Sequence, residues 1–199
     1  MSRNVKIIIY SGIALVFVFL IYNLFAGTYN SLVSREENVS EQWGKVQSAY
    51  QRRMDLIPNL VNTVKGYAEF EKSTLTQVIE ARSKATSVNI DPSKLSAADI
   101  QRFQESQGQL SSALGRLMVI VEKYPELKAN QNFLELQAQL EGTENRISVE
   151  RNRFNEMAKE YNTYLRSFPR NLVAGLYGFE KKGYFEAAAG ADKAPEVKF

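Results

Sequence analysis

Four charged residues stand where the helical pattern of this chain calls for apolar ones: Arg53, Glu71, Glu144 and Arg151. Several roles are open to them. Two carboxylates such as Glu71 and Glu144 can divide general acid and general base work when their surroundings push their proton affinities apart. Arginine and glutamate on facing helices can instead form a buried polar network that fixes register or oligomeric state. In a seam that splays open, their long stems simply carry the charge to water. The acid–base role wants a nucleophile, a pocket and an orienting partner, and nothing in the sequence supplies them. Histidine and cysteine are both absent from the 199 residues. Imidazole catalysis, thiolate nucleophiles, disulfides and Cys/His zinc sites are thereby excluded. No enzymatic activity, cofactor, metal or small-molecule substrate is expected.

Charge narrows the partners further. The formal charge is +3, from 25 Lys and Arg against 22 Asp and Glu. Of the 25 cations, Arg3 and Lys6 lie in the first 26 residues, so the remainder holds 23 against 22 acids. That balance lacks the basic excess with which a domain holds nucleic acid, and no nucleic-acid partner is expected.

The elements that must position these residues are helices. Proline is confined to Pro58, Pro92, Pro125, Pro169 and Pro195, and no segment sustains strand alternation. A first seam of alternating three- and four-residue steps runs Val39, Trp43, Val46, Tyr50, Arg53, Ile57, Leu60, Val64, Tyr67, Glu71, Thr74, Val78, Ala81. Its phase continues across Pro58, which predicts one long helix over about 29–86, bent near Met54 to Pro58. The competing reading makes Asp55 an N-cap, with Pro58 in the first turn of a new helix. Residues 87–95 read as a linker. Ser96 and Asp99 resemble a capping box, with Asp in place of the usual Glu. A second helix follows, with seam residues Ile100, Phe103, Gln107, Leu110, Leu114, Leu117, Val121 and Tyr124. A third, over about 128–168, carries Phe133, Gln137, Leu140, Glu144, Ile147, Arg151, Phe154, Ala158, Tyr161, Leu165 and Phe168. Short connections make successive helices antiparallel neighbours. The expected fold is all-α: a single N-terminal transmembrane helix, then an antiparallel bundle of three long helices with a C-terminal packing segment.

The anchor is Ile7–Ala26, with Tyr10, Leu15, Phe19 and Tyr22 along it and no charge from Ile7 to Ser34. Its length of about 30 Å at 1.5 Å per residue matches the hydrocarbon core of a bilayer. Tyr10 and Tyr22 sit near its two ends, where amphipathic rings favour the headgroup zone. A cleaved signal peptide would have a shorter apolar region and a small-x-small site, which Leu24-Phe25-Ala26 does not resemble. Arg3 and Lys6 precede the span, and Arg35 and Lys45 follow it. Counting cations alone leans towards a cytoplasmic N-terminus with the bundle outside.

The organisation expected is therefore a tail over 1–6, the anchor over 7–26, a helical stalk over 27–54, a bundle over 55–186 and a loose terminus over 187–199. On the unbroken-helix reading the stalk has no partner within its own chain, leaving Trp43, Val46 and Tyr50 uncovered. The third helix likewise overhangs the far end of the bundle with Tyr161, Leu165 and Phe168. Two uncovered apolar stretches argue for homo-oligomers. The run Phe168–Phe185, with Leu172, Leu176, Tyr177 and Phe179, reads as a fourth packing element, an interfacial membrane segment or an oligomer contact. A continuous first helix would put it far from the membrane; a reversal in that helix would return it.

The stretch QRRMDLIPNLVNTVKGYAEFEKSTLTQVIEARSKA (Gln51–Ala85) resembles the hallmark of the LemA family. So do SSALGRL (Ser111–Leu117), YPELKANQNFLELQAQLEGTENRISVERNRFNE (Tyr124–Glu156), Tyr161–Asn162 and FPRNLVAGLYGFEKKGYFE (Phe168–Glu186). Met54 and Phe70 depart from the residues common at those motif positions. The resemblance implies a bacterial membrane protein with one N-terminal span, an antiparallel helical bundle and no enzymatic activity. Related magnetosome proteins are implicated in membrane invagination. Arg52, Arg53, Asp55, Pro58 and Asn59 match signature positions, as do Gly142, Glu144, Asn145, Arg146 and Phe154. The family supplies no roles for them, and contacts between helices are the physical expectation. Pattern and resemblance together lead to a scaffold in the inner membrane that self-associates and organises or remodels the bilayer. The alternative is an adaptor whose distal bundle meets an envelope protease or signalling partner.

Overall fold

The computed structural model describes residues 3–66 and 71–187, apart from the side chain of Lys6. Tyr67, Phe70 and most of the loose terminus expected over 187–199 lie outside the described residues. The fold is all-α, in the order α1 (Arg3–Lys65), α2 (Lys72–Ser87), α3 (Ala97–Val121), α4 (Pro125–Lys128), α5 (Gln131–Arg166) and α6 (Arg170–Tyr177). α1 holds 63 residues, so it is a rod of about 95 Å. Its first part is apolar on every side and exposed, the pattern of a segment whose solvent is lipid. Among the described residues it is the one helix long and apolar enough to cross a membrane, consistent with a single-pass membrane protein.

Beyond the span, the seam from Leu32 through Val39, Trp43, Val46, Tyr50, Arg53, Ile57, Leu60 and Val64 is buried, as its spacing predicts. Helix continuation past Lys65 is where the prediction fails. α1 passes unbroken through Pro58, so neither an N-cap at Asp55 nor one helix over 29–86 is right. The chain reverses between Lys65 and Lys72, and α2 runs back along α1. Gln107 Nε2 on α3 reaches the Ala85 carbonyl at 3.4 Å, and Arg82 Nε on α2 reaches the Met54 carbonyl at 2.9 Å.

This last bond answers a local question. Proline at position 58 has no N–H to donate to the carbonyl four residues earlier, which is that of Met54. A buried carbonyl without a donor is costly. The side chain of Arg82 supplies the missing donor from the neighbouring helix. Pro58 is tolerated inside α1 because α2 folds back beside it.

α3 begins at a Ser96 cap, whose Oγ accepts from the Asp99 backbone N–H at 3.2 Å. It runs parallel to α1, and its contacts with Arg53 place Gln107 and Ser111 at mid-bundle. Asn130 caps α5 through Phe133 N–H at 3.1 Å, and α5 returns antiparallel to α1, its main partner. Two cores result. The membrane-proximal one gathers Leu32, Val39, Trp43, Phe103, Phe154, Tyr161 and Leu165; the distal one gathers Ile57, Leu60, Val64, Val78, Leu117, Leu127 and Phe133.

The reversal after Lys65 changes the parity of the bundle. Residues 27–54 are no bare stalk: α5, the 88–96 loop and the C-terminal segment cover them. Trp43 is fully buried, with ring centroids of Phe103, Phe154 and Phe185 at 5.1, 5.6 and 6.0 Å. α5 does not overhang a distal tip either. It ends at the membrane side, where Tyr161 and Leu165 are buried and α6 packs on α1 beside Tyr29. The segment after α6 then turns back along the bundle. Gly183 N–H donates to the Leu95 carbonyl at 2.8 Å. A Cβ on Gly183 would lie 2.7–2.8 Å from backbone atoms of Ser96 and Ala97, so only glycine allows this approach.

The bond from Arg82 is expected to matter because of Pro58. Arg82→Met should lower the unfolding free energy by about 1–3 kcal/mol in the parent chain. It should cost clearly less in a Pro58→Ala background, where the backbone supplies its own donor. A double-mutant cycle by urea denaturation measures the difference; equal costs in both backgrounds would refute the assignment.

Candidate functional site

Arg53 lies at the centre of the bundle, 2% exposed, at a seam position where α1 faces both α3 and α5. Its Nη1 donates to Ser111 Oγ at 2.9 Å and to Glu144 Oε2 at 2.8 Å. Its Nη2 donates to Gln107 Oε1 at 2.7 Å. The guanidinium also lies 5.1 Å from the Tyr50 ring centroid, in cation–π range. One planar fork thus joins three helices, which a lysine could not do with the same geometry. Its Nε is buried and has no hydrogen-bond partner among the described residues. Beside it an open groove of about 990 Å³ runs past Tyr50, Gln104, Ser111, Glu144 and Arg151.

A second charged centre lies nearer the membrane. Glu150 is fully buried, and Gln42 Nε2 donates to its Oε2 at 2.7 Å and to its backbone carbonyl at 3.2 Å. Arg146 Nε reaches Glu150 Oε1 at 2.7 Å. The Gln42 hydrogen bond leads the forces that hold the Glu150 carboxyl below the usual carboxylate range. Arg146 and Arg153 add to it, and together they outweigh burial, which acts the other way. A third centre pins the C-terminal segment. Lys182 is 5% exposed, and its Nζ reaches Glu36 Oε1 on α1 at 2.6 Å and the Ser93 carbonyl at 2.7 Å. Asn162 on α5 holds the same residue's backbone, accepting from its N–H at 2.9 Å and donating to its carbonyl at 2.8 Å. Nearby, burial pushes the Tyr161 phenol upward, and the charges of Glu36 and Glu180 add to the shift.

The other residues singled out by sequence fall into place around these centres. Glu71 is exposed at the start of α2, and Glu144 sits mid-bundle beside Arg53, so the two carboxylates form no pair. Arg151 is half-buried; its Nη2 donates to the Glu186 carbonyl at 2.8 Å and its guanidinium lies 4.8 Å from the Phe185 ring centroid. Arg146 is exposed except for its bond to Glu150, and Phe154 is fully buried. Asp55 is exposed and accepts from Gln51 Nε2 at 2.7 Å. Arg52, Pro58 and Asn59 are exposed on the outer face of α1. Trp43, Tyr50 and Tyr161 are core residues of their own chain, whereas Phe168, Leu172, Leu176 and Tyr177 are exposed; Phe179 is half-buried against the Tyr29 ring. Gln42, Glu150, Arg82 and Lys182 carry weight that the sequence reading missed.

A model of the LemA family matches residues 42–199. Protein LemA of Metamycoplasma hominis is similar at 25% identity over 169 residues, covering 85% of this chain and 74% of that protein. Magnetosome protein MamQ 2 of Paramagnetospirillum magneticum is similar at 26% identity over 181 residues, covering 82% of this chain and 66% of that relative. Magnetosome protein MamQ of Magnetospirillum gryphiswaldense matches at the same identity and over the same shares.

The centres differ in what they are worth. Arg53→Ala should cost about 2–5 kcal/mol, because it strips Gln107 and Ser111 of a partner and opens a cavity. Glu144→Ala should cost about 1 kcal/mol or less, since that side chain is 58% exposed; equal losses in denaturant titrations would contradict the hub. Glu150 makes a signed prediction. Its folded-state proton affinity is depressed, so its stabilisation is present above the unfolded-state value and lost as pH falls through the folded one. Stability should therefore decline from about pH 5 downward, and Glu150→Gln should flatten that decline. Unfolding curves of the two chains at pH 7 and pH 4 give the comparison.

Proposed function

Because this chain belongs to the LemA family, we propose that it is a single-pass protein of the bacterial inner membrane whose bundle is a non-catalytic scaffold. In this reading copies of it associate and organise or remodel the bilayer, with the N-terminus in the cytoplasm and the bundle outside. The observation that carries the proposal is the unbroken helix from Arg3 to Lys65, apolar and exposed over the span and buried along one seam beyond it. A helix without a joint holds the bundle rigidly to its anchor, which is what membrane organisation asks of a scaffold. The similarity to proteins named for magnetosomes supports the same direction.

Self-association needs a different basis from the one the sequence suggested. Trp43, Val46 and Tyr50 are covered within the chain, and so are Tyr161 and Leu165. Contacts between copies fall instead to the lipid-exposed span and to surfaces near the membrane. The adaptor reading also changes: the aromatic C-terminal segment lies at the membrane end, so a partner meeting the far tip would meet α4 and its neighbours.

Particle mass of the full-length chain in detergent micelles, followed through a dilution series, tests the scaffold. More than one copy per particle is expected at the concentrated end. A single copy at every concentration would overturn the oligomeric reading and leave the anchored bundle alone.

A further inference from the structure

Among the described residues outside the span, most large apolar side chains that face solvent occur singly along the chain, among them Ile79 on α2, Val119 on α3, and Leu134 and Val149 on α5. One group does not. Leu172 and Leu176, one turn apart on α6, are 61% and 68% exposed, and Phe168, in the turn just before α6, is 81% exposed. Val173 and Ala174, on the adjoining side of α6, are buried, and Tyr177, which falls between them around the helix, lies against the Tyr29 ring. α6 is thus apolar on two sides: one is spent on the core, and the other, with Leu172 and Leu176, is exposed. Clustered apolar surface of this kind marks an interaction site.

Its position says what covers it. The Tyr177 and Phe179 rings lie 4.9 and 5.7 Å from the ring centroid of Tyr29. Tyr29 is three residues past Ala26, the last residue of the span, hence about 4.5 Å further along the α1 axis. The headgroup zone extends roughly 5–8 Å beyond the hydrocarbon on each side. α6 therefore sits at the depth where a bilayer holding Ile7–Ala26 changes from hydrocarbon to headgroups. Charge agrees: Arg166, Arg170 and Lys181 flank the patch, with Glu180 the one carboxylate from 166 to 181. Cations beside an apolar helix face suit lipid phosphates.

We propose that Leu172 and Leu176, with Phe168 in the turn before α6, form a second membrane contact, an interfacial foot inserted into the leaflet from which the span emerges. The proposal rests on the reading of Ile7–Ala26 as a transmembrane anchor and adds to it. Apolar faces of interfacial helices lie about 5–10 Å into the boundary between headgroups and acyl chains. A foot on one side of the span displaces lipid in one leaflet only, which gives the scaffold a direct means of bending the membrane.

The absence of native cysteine makes a clean test available. Leu15→Cys, Leu176→Cys and Glu126→Cys variants of the full chain are each labelled with an environment-sensitive fluorophore. They are then reconstituted into phosphatidylcholine–phosphatidylglycerol vesicles carrying a spin label high or low on the acyl chain. The Leu15 label should be quenched by the deep spin label, the Leu176 label more by the shallow one, and the Glu126 label, on α4, by neither. Leu172→Cys should repeat the Leu176 result, being one turn away on the same face of α6. If the Leu176 and Leu172 labels stay as bright as the Glu126 label while the Leu15 label is quenched, the anchor stands and the foot is refuted. A protein partner or a second copy on α6 would give that same outcome. If the Leu15 label escapes quenching, the anchor fails and this proposal loses its premise.

Discussion

α1 has to satisfy two solvents with one unbroken backbone, and the rest of the fold follows from that constraint. For its first part the surrounding medium is apolar, so residues of every facing can be apolar. Beyond it, one stripe from Leu32 to Val64 has to be kept from water while the opposite side stays polar. α5, α2, α3 and the C-terminal segment each cover part of that stripe. Pro58 threatens the rod near its distal end, and the Arg82 side chain restores the donor that proline removes. The stiffest element is therefore held intact by a bond from a helix that exists only because the chain turned back.

Three buried charges mark three levels of the bundle, each tying different elements. Arg53 joins α1 to α3 and α5, Glu150 joins α5 to α1, and Lys182 joins the C-terminal segment to α1 and the 88–96 loop. Apolar seams alone allow neighbouring helices to slide by a turn, about 5.4 Å, and repack. A slide of that size here would separate Arg53 from Glu144 and Gln42 from Glu150, leaving buried charge without a partner. Such an error costs several kcal/mol. The charges thus act against wrong alignments more than they add to the stability of the right one.

Much of this architecture is legible in the residue pattern. Val39 to Val64 on α1 and Ile100 to Val121 on α3 are buried almost position for position as their spacing requires. The reversal after Lys65 was not legible, for a definite reason: Thr74, Val78 and Ala81 of α2 continue the numerical phase of α1. Two antiparallel helices packed in one bundle share a period, and a period cannot tell a turn from a continuation. On α5 the buried stripe takes Thr143 and Glu150 where the strict seam names Glu144 and Arg151. Each is shifted by one residue, because α5 rolls slightly to face α1. A one-residue roll is beneath the resolution of hydrophobic spacing, and it is why Glu150 went unnoticed. Arg82 and Lys182 look like ordinary surface cations in sequence, and only tertiary proximity gives them partners.

The run from Arg3 to Lys65 has one more implication: the protein has no swivel. In a helix each residue advances the axis by about 1.5 Å and turns it by about 100°. Adding a single residue between Ala26 and Thr28 would therefore swing the whole bundle through more than a quarter of a circle about the membrane normal while scarcely lifting it. Each side of the span and each side of the bundle are thereby locked in azimuth to one another. In any array of such molecules, the compass bearing of every subunit would be written into residues that never leave the lipid.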